Sequence, residues 1–264
     1  MPIDQLALKE SSMTRENKVK SILVTLDYPE SGKSVFDVLP DEHKIKLDYR
    51  SFIHVEPVHV REMRNQQLNI LDHTAVILTS RSGVDNFFRI AEEMRVELPT
   101  TFKYFCANSA ITNYIQKYIT VRKRKMFTGK GPLADLLRMV KAHKKEKFIF
   151  TCSNIRKPMI PDFLDEHEID YTEAVMYKTV SSDLSDLEEV FYDIIVFYSP
   201  ADIKSLFENF PDYEQNNTRI AAFGNSTKKA IEEAGLILDI FAPTPENPSI
   251  VTALQNYCTK VNKR

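Results

Sequence analysis

Four short segments place hydroxyl or amide side chains directly after an apolar run, and each is followed at once by a helix-like pattern. In such strand-to-helix turns the free N–H groups of the first helical turn point at a ligand and favour anions. The sequence therefore predicts anion-binding turns, and it contains them as two similar pairs. The segments are residues 78–82, 106–110, 197–201 and 223–229.

Each turn would offer backbone N–H groups together with a hydroxyl or amide side chain. A fifth turn of the same type follows the apolar run that ends at Thr151. Taken one at a time, these residues are equally typical of ordinary helix N-caps. As a set, they are the candidate substrate contacts. They are Thr79, Ser80, Ser82, Asn108, Ser109, Ser153, Asn154, Ser199, Pro200, Ala201, Asn225, Ser226 and Thr227.

The elements that must position these residues alternate between strands and helices. Apolar runs without alternation, such as residues 74–79 and 193–198, are typical of parallel strands buried on both faces. The pattern predicts an α/β fold with parallel sheets. Several segments recur in the same order 117 to 126 positions later, for example residues 22–25 at 148–151. A duplication is the natural interpretation, although generic strand-helix units share part of this pattern.

Length, charge and cysteine usage exclude several classes of protein. A chain of 264 residues is long enough for two domains, and a formal net charge of -2 gives no support for nucleic-acid binding. Three cysteines without a CxxC motif predict neither a disulfide framework nor structural zinc. No secretory signal or membrane span is expected. The basic runs 122–125 and 141–147 could steer a polyanion or form a solvated face.

The order and spacing of several motifs resemble the uroporphyrinogen-III synthase family, in the style of its Bacteroidetes branch. The resemblance covers roughly residues 20–258 and is most specific in the later half. Two positions depart from the family pattern: Thr25 is followed by Leu26 rather than arginine, and no glycine precedes Asn108 and Ser109. The segments that carry the resemblance are residues 78–84, 175–179, 197–201, 220–227, 233–236 and 242–245.

This resemblance implies a particular architecture. We expect two flavodoxin-like α/β domains with parallel sheets, one discontinuous (residues 1–54 plus 179–264) and one inserted (residues 55–178). A two-stranded antiparallel linker, near residues 52–56 and 175–179, would join them. The active site would lie in the cleft between the domains.

The resemblance also implies a reaction, the cyclisation of hydroxymethylbilane to uroporphyrinogen III with inversion of its last ring. No metal or cofactor is implied, and Tyr177 is the residue expected to deliver a proton to the departing hydroxyl. We expect a cytoplasmic monomer that binds neither nucleic acid nor membrane. Whether hydroxymethylbilane synthase passes the substrate on directly stays open at this point. So do a catalytically inactive tetrapyrrole-binding homologue and a periplasmic-type binding protein.

Overall fold

The structure is a computed structural model that describes residues 17–39, 44–66, 68–120, 122–156 and 158–263. The chain divides into two compact units. Unit 1 contains Met1–His54 and Val180–Arg264, and unit 2 contains Val55–Thr179.

Strands and helices alternate along most of the described chain. The strands are β1 (Ser21–Val24), β2 (Lys46–Tyr49), β3 (Ile53–Pro57), β4 (Ala75–Leu78), β5 (Lys103–Cys106), β6 (Met126–Thr128), β7 (Phe148–Ser153), β8 (Tyr171–Ser181), β9 (Ile194–Phe197), β10 (Arg219–Phe223) and β11 (Leu238–Ala242). The helices are α1 (Val60–Asn65), α2 (Arg81–Glu93), α3 (Ser109–Ile115), α4 (Leu133–Ala142), α5 (Met159–Glu166), α6 (Pro200–Asn209), α7 (Asn225–Glu233) and α8 (Ile250–Asn262).

Unit 1 is built on a sheet of five strands in the spatial order β11-β10-β9-β1-β2. Every pairing in this sheet is parallel. If the five strands of this sheet are numbered 1 to 5 in chain order, their spatial order from β2 to β11 is 2-1-3-4-5. This is the flavodoxin-like arrangement. The order reverses between β1 and β9, so the carboxyl ends of these two strands flank a crevice in which such sheets usually bind ligands.

Unit 2 contains the order β8-β7-β4-β5-β6, also with parallel pairings, and β3 lies beside β8 at the edge. This is the same spatial sequence with a different starting point in the chain, because β7 and β8 correspond to β1 and β2 of unit 1. The reversal falls between β7 and β4. The predicted α/β class with parallel sheets is confirmed, and unit 2 is a circular permutation of the topology of unit 1.

The central strands are apolar throughout because helices cover both faces of each sheet. All residues of β4 and β9 are buried. On one face of the unit 2 sheet, Val84 and Phe87 of α2 pack with Ile111 of α3. On the other face, α4 and α5 contribute Leu136 and Leu164. Burial on both faces explains why the strands read as continuous apolar runs rather than alternating ones.

The edge strand β3 pairs with β8 through hydrogen bonds at both of its ends. The Val58 N–H donates to the Met176 carbonyl (3.0 Å), and the Ser182 N–H donates to the Phe52 carbonyl (2.9 Å). The residue numbers rise on one strand as they fall on the other, which is the pattern of an antiparallel pair. The expectation that this pair serves as the linker of the two domains stays a prediction.

Some elements differ from the expectations. The many charged and few apolar residues of 60–71 predict one exposed helix, but α1 ends at Asn65 and buries Met63. The sequence pattern does not predict strand β6, which has only three residues and ends at Thr128, where a turn over residues 128–132 is predicted to begin. Its residues are half-buried at a sheet position that is set by pairing with β5, so the local pattern carries little signal.

The helices of the described residues include none that is long and apolar enough to cross a membrane. The described residues also contain no group of three or more histidine, cysteine or acidic side chains that could hold a metal ion. The three cysteines are free and buried.

A buried carboxylate joins three elements of unit 1 by hydrogen bonds. Asp202 of α6 is 1% exposed and accepts hydrogen bonds from the Tyr198 N–H (3.0 Å) and the Ser199 N–H (2.9 Å). The Thr25 hydroxyl lies 3.2 Å from the same carboxylate and 2.9 Å from the Val196 carbonyl. The end of β1, the end of β9 and the start of α6 are therefore fixed relative to one another.

We expect Asp202→Ala to lower the free energy of unfolding by about 3 kcal/mol, because several buried donors would lose their acceptor. The measurement is urea unfolding followed by circular dichroism. Asp186→Ala is the control, since it removes an exposed ion pair with Arg50 and should cost less than about 1 kcal/mol. Equal losses for the two variants would contradict a structural role of the buried carboxylate.

Candidate active site

In unit 2 the strand order reverses between β7 and β4, and polar side chains collect at the carboxyl ends of these strands. Ser80 follows β4, Ser153 ends β7, and Tyr177 lies on the neighbouring strand β8. Crevices at such reversals are the usual ligand sites of open parallel sheets. This edge is therefore the first candidate for an active site.

Ser80 connects the start of α2 with the candidate proton donor. Its backbone is extended, and its hydroxyl oxygen accepts from the Gly83 N–H (2.9 Å), so Ser80 is the N-cap of α2. The same hydroxyl lies 2.9 Å from the Tyr177 hydroxyl. The predicted Ser80 thus both caps a helix and holds the phenol of Tyr177.

Gly83 allows α2 to start this close to β7. A Cβ at this position would lie 2.9 Å from the Thr151 hydroxyl and 3.2 Å from the Ser80 hydroxyl. The Thr151 hydroxyl in turn donates to the Ile77 carbonyl (3.0 Å). Any side chain at residue 83 would therefore disturb the Thr151–Ile77 hydrogen bond, which joins β7 to β4 and positions Ser80.

Tyr177 reaches Ser80 because the pairing of β8 with β7 is irregular. Cys152 pairs with Val175, but Ser153 pairs with Tyr177, so Met176 is an extra residue on β8. Such bulges change the direction of the side chains that follow and are frequent beside active sites. Burial raises the pKa of Tyr177, whereas the Ser80 hydroxyl lowers it in part. The phenol is therefore protonated at neutral pH and can donate.

Tyr177 also lines a cavity of about 380 Å³ at this edge, together with Thr79 and Ser153. The side chains of Arg156 and Met159 complete the polar and apolar parts of the lining. The Arg156 Nε lies 2.6 Å from the Glu173 carboxylate. A guanidinium has five N–H donors, so this ion pair orients Arg156 and leaves donors for an anion in the cavity.

Ser153 and Asn154 do not cap a helix, contrary to the sequence prediction. The Ser153 hydroxyl bonds to the backbone of Ile155, and the Asn154 side chain accepts from the Thr179 N–H (2.8 Å). Helix α5 begins only at Met159, after Pro158, which has no side-chain cap. The correction has a local cause, because a turn separates the end of β7 from α5.

The second turn of unit 2 follows β5. The Asn108 side chain accepts from the Ile111 N–H (3.1 Å), so Asn108 is the N-cap of α3, and Ser109 is exposed beside it. The remaining predicted residue, Ser82, lies in the first turn of α2, where its carbonyl accepts from the Asn86 side chain. Asn108 and Ser82 are half-buried.

In unit 1 the turn after β9 is already occupied by a carboxylate of the chain itself. Ser199 caps α6 in a capping box with Asp202. The carboxylate takes the N–H groups of Tyr198 and Ser199, and Pro200 has no N–H to offer. Among the predicted residues Ser199, Pro200 and Ala201, few donors thus remain for a substrate.

The turn after β10 also differs from the prediction. The N-cap of α7 is Gly224, with a φ of 89°, so Asn225 is already helical. This backbone conformation is accessible mainly to glycine. Asn225 and Ser226 are exposed, but Thr227 is 0% exposed and its hydroxyl has no hydrogen-bond partner among the described residues. The Thr227 hydroxyl is therefore not accessible to a substrate.

A second, more apolar cavity of about 270 Å³ lies at the carboxyl edge of unit 1. It is lined by Val35, Tyr198 and Phe223 together with Ser249 at the start of α8. The rings of Tyr198 and Phe223 lie 6.1 Å apart. This edge thus offers apolar contact surface, whereas the unit 2 edge offers a phenol and a guanidinium.

Comparison with known proteins decides the family. A family model described as uroporphyrinogen-III synthase HemD matches residues 47–252, that is 206 of the 264 residues. The chain belongs to the uroporphyrinogen-III synthase family. The resemblance on which the sequence analysis relied is thereby confirmed.

Individual relatives support this family assignment. The uroporphyrinogen-III synthase of Saccharomyces cerevisiae is 25% identical over 218 residues, which cover 72% of this chain and 78% of that protein. The uroporphyrinogen-III synthase of Chlorobaculum parvum is 27% identical over 119 residues, 42% of this chain and 48% of that protein.

Solved structures of the family show the same fold. Uroporphyrinogen-III synthetase from Helicobacter pylori aligns with a TM-score of 0.59 at 15% identity, over 91% of this chain and 99% of that chain. A mutant uroporphyrinogen III synthase from Thermus thermophilus gives 0.55 at 15% identity, over 93% and 100%. At this identity the likeness concerns the fold alone.

Sequence reasoning missed two charged residues of these edges. Arg156 lies in a turn whose sequence has no ligand motif, and its ion pair with Glu173 of β8 orients it at the cavity. Asp202 occupies the third helical position after Ser199, which is the acidic position of a capping box. That spacing indicates that a carboxylate of the chain itself accepts the free N–H groups of the turn.

We predict that the Tyr177 phenol titrates above the ordinary tyrosine pKa of about 10, and that Ser80→Ala raises its pKa further. The measurement is NMR of ¹³C-labelled tyrosine, with the signal assigned by its loss in Tyr177→Phe. Because the folded-state pKa is raised, this group's contribution to stability is lost as pH rises through that pKa. Titration below pH 10 would contradict the buried, Ser80-bonded phenol.

Proposed function

We propose that this chain is a uroporphyrinogen-III synthase, a cyclising lyase that converts hydroxymethylbilane to uroporphyrinogen III. The observation that carries the proposal is the family match over 206 residues, because it includes the segment with Ser80, Arg156 and Tyr177. Support from the structure comes from the Ser80–Tyr177 hydrogen bond at the edge of a cavity.

The proposed reaction eliminates water from a linear tetrapyrrole. Protonation of the terminal hydroxyl lets it depart as water and leaves an azafulvene-type cation. The last ring attacks this cation through its substituted carbon and forms a spiro intermediate, which fragments and closes again with the ring inverted. Release of a proton from the ring balances the proton that was delivered to the hydroxyl.

Tyr177 is the proposed proton donor in the first step. Its raised pKa keeps the phenol protonated, and the Ser80 hydroxyl holds it in one direction. A positioned acid typically contributes a factor of about 10²–10⁴ to the rate. Ser80 can act as donor or acceptor toward the phenol, so it can also stabilise the phenolate that remains after proton transfer.

Binding of the eight substrate carboxylates is the second requirement. We propose that Arg156 and the turns at Thr79, Ser80, Ser82, Asn108 and Ser109 bind part of them, with Ser153 and Asn154 shaping the cavity. Asn225 and Ser226 are the proposed donors of unit 1, because the donors at Ser199, Pro200 and Ala201 are largely occupied. Holding a flexible bilane in one geometry can supply about 7–11 kcal/mol of the barrier reduction.

Several finer features belong to the same proposal. We propose that units 1 and 2 are the two domains of the family, and that the protein works as a cytoplasmic monomer. The substrate is a small molecule, in keeping with the family. Direct transfer of the unstable bilane from hydroxymethylbilane synthase is a further part of the proposal.

The isomer of the product tests the activity. With hydroxymethylbilane as substrate, we expect the type III isomer in large excess, measured by chromatography after oxidation to the porphyrins. Heat-denatured protein is the control and should leave only the spontaneously formed type I isomer. Type I product alone from the folded protein would refute the proposal, and it would favour an inactive tetrapyrrole-binding homologue if binding persisted.

Substitution of Arg156 tests the carboxylate contact. We expect Arg156→Gln to raise KM for hydroxymethylbilane about 10-fold with a smaller change in kcat, because charge-assisted hydrogen bonds contribute about 1.5–3 kcal/mol. Arg138→Gln on α4 is the matched control, since it removes the same charge from an exposed position outside the cavity. An unchanged KM for Arg156→Gln would exclude this contact.

A further inference from the structure

The bulge in β8 interrupts the regular pairing of the strand that carries Tyr177. Met176 is the extra residue there, and its carbonyl accepts from the Val58 N–H (3.0 Å). Bulges disrupt the ladder of hydrogen bonds locally, and backbone N–H and carbonyl groups that lose their partners cost free energy where water cannot reach them. The backbone on either side of Tyr177 therefore depends on partners from outside the regular ladder.

A side-chain amide supplies these partners two residues before Tyr177. The Gln66 Nε2 donates to the Val175 carbonyl (3.1 Å), and the Val175 N–H donates to the Gln66 Oε1 (3.2 Å). Gln66 directly follows α1, which comes after the edge strand β3 in the chain. Its side chain thus exchanges with Val175 the two hydrogen bonds that a residue of an antiparallel neighbouring strand would exchange.

A second side-chain amide makes the same kind of contact two residues after Tyr177. The Asn154 Oδ1 accepts from the Thr179 N–H (2.8 Å), and the Asn154 Nδ2 donates to the Thr179 carbonyl (3.3 Å). Asn154 directly follows β7, which lies on the other side of β8 from β3. An amide therefore holds each end of the bulged segment 175–179, and Tyr177 lies at its centre.

We propose that Gln66 and Asn154 are positioning residues of Tyr177, an inference that rests on the proposed function and extends it. The two amides hold segment 175–179 in the backbone conformation in which the phenol lies 2.9 Å from the Ser80 hydroxyl. In this role they act through the direction of the phenol and not by contact with the substrate. Such an effect can be large, because a misplacement of about 1 Å can lower a rate about 100-fold.

Unit 1 contains a glutamine and an asparagine that provide matched controls. Gln215 exchanges two hydrogen bonds with the backbone of Ile237 (2.9 and 2.7 Å), and Asn262 does so with the backbone of Val19 (2.9 and 2.8 Å). Such contacts contribute to stability wherever they occur. The control variant, Gln215→Ala with Asn262→Ala, therefore separates a general loss of stability from an effect on Tyr177.

The first measurement is the NMR signal of ¹³C-labelled Tyr177, which requires no turnover. Ser80→Ala gives the position of this signal when the phenol has lost its hydrogen bond. The amide variant, Gln66→Ala with Asn154→Ala, should move the signal toward that position, and the control variant should leave it in place. An unmoved signal in the amide variant, or an equal movement in the control variant, would refute the proposal.

The second measurement is the formation of the type III isomer from hydroxymethylbilane. We expect the amide variant to lower kcat about 10-fold with a smaller change in KM, and the control variant to leave kcat unchanged. In the background of Tyr177→Phe, the same two substitutions should lower kcat less than about 2-fold, because no phenol is left for them to position. An equal loss of kcat in both backgrounds would contradict a role through Tyr177.

The proposed function and the positioning role can fail separately. Type I product alone from the unsubstituted protein would refute the proposed function, whereas the NMR signal would still show whether the amides hold the phenol of Tyr177. Both amide side chains are exposed, so the amide variant should fold, and circular dichroism checks this. If it does not fold, Gln66→Ala and Asn154→Ala taken singly decide the question, since each should move the signal in the same direction.

Discussion

Both units depend on one interaction, a threonine hydroxyl that bonds to the carbonyl of the neighbouring strand where the strand order reverses. The Thr25 hydroxyl donates to the Val196 carbonyl in unit 1, and the Thr151 hydroxyl donates to the Ile77 carbonyl in unit 2. In each unit the accepting residue lies three positions before the serine that caps the next helix. The bond therefore fixes the start of that helix at the crevice, and the other polar groups of the edge are positioned from there.

The two copies differ at the third helical residue, and this difference separates their roles. Asp202 fills that position in unit 1 and takes the N–H groups that an external anion would otherwise bind. Gly83 fills it in unit 2, where a side chain would collide with Thr151. The unit 2 edge thus stays free of a carboxylate at this position, and it is also the edge with Tyr177 and Arg156. We therefore propose that the residues of unit 2 perform the chemistry and that unit 1 contributes to substrate binding.

The features that depend on local sequence could be predicted. The buried strands, the caps at Ser80 and Asn108, and the repeated order of elements follow from patterns within a few residues. Features set by contacts between distant segments could not. The bulge that directs Tyr177 arises from the register between β7 and β8, and an ion pair with Glu173 of β8 orients Arg156 at the cavity. The failed cap at Ser153 and Asn154 has the same origin, because Asn154 bonds to Thr179, 25 residues away.

We propose that the geometry of the turns selects the product, whereas Tyr177 sets the rate of proton delivery. A single-turnover reaction of Tyr177→Phe with hydroxymethylbilane, enzyme in excess, separates these roles most directly. We expect turnover to slow by about 10²-fold or more while the enzyme-bound substrate still gives the type III isomer. Formation of type I alone would contradict selection of the product by the turns, and an unchanged rate would contradict proton delivery by Tyr177.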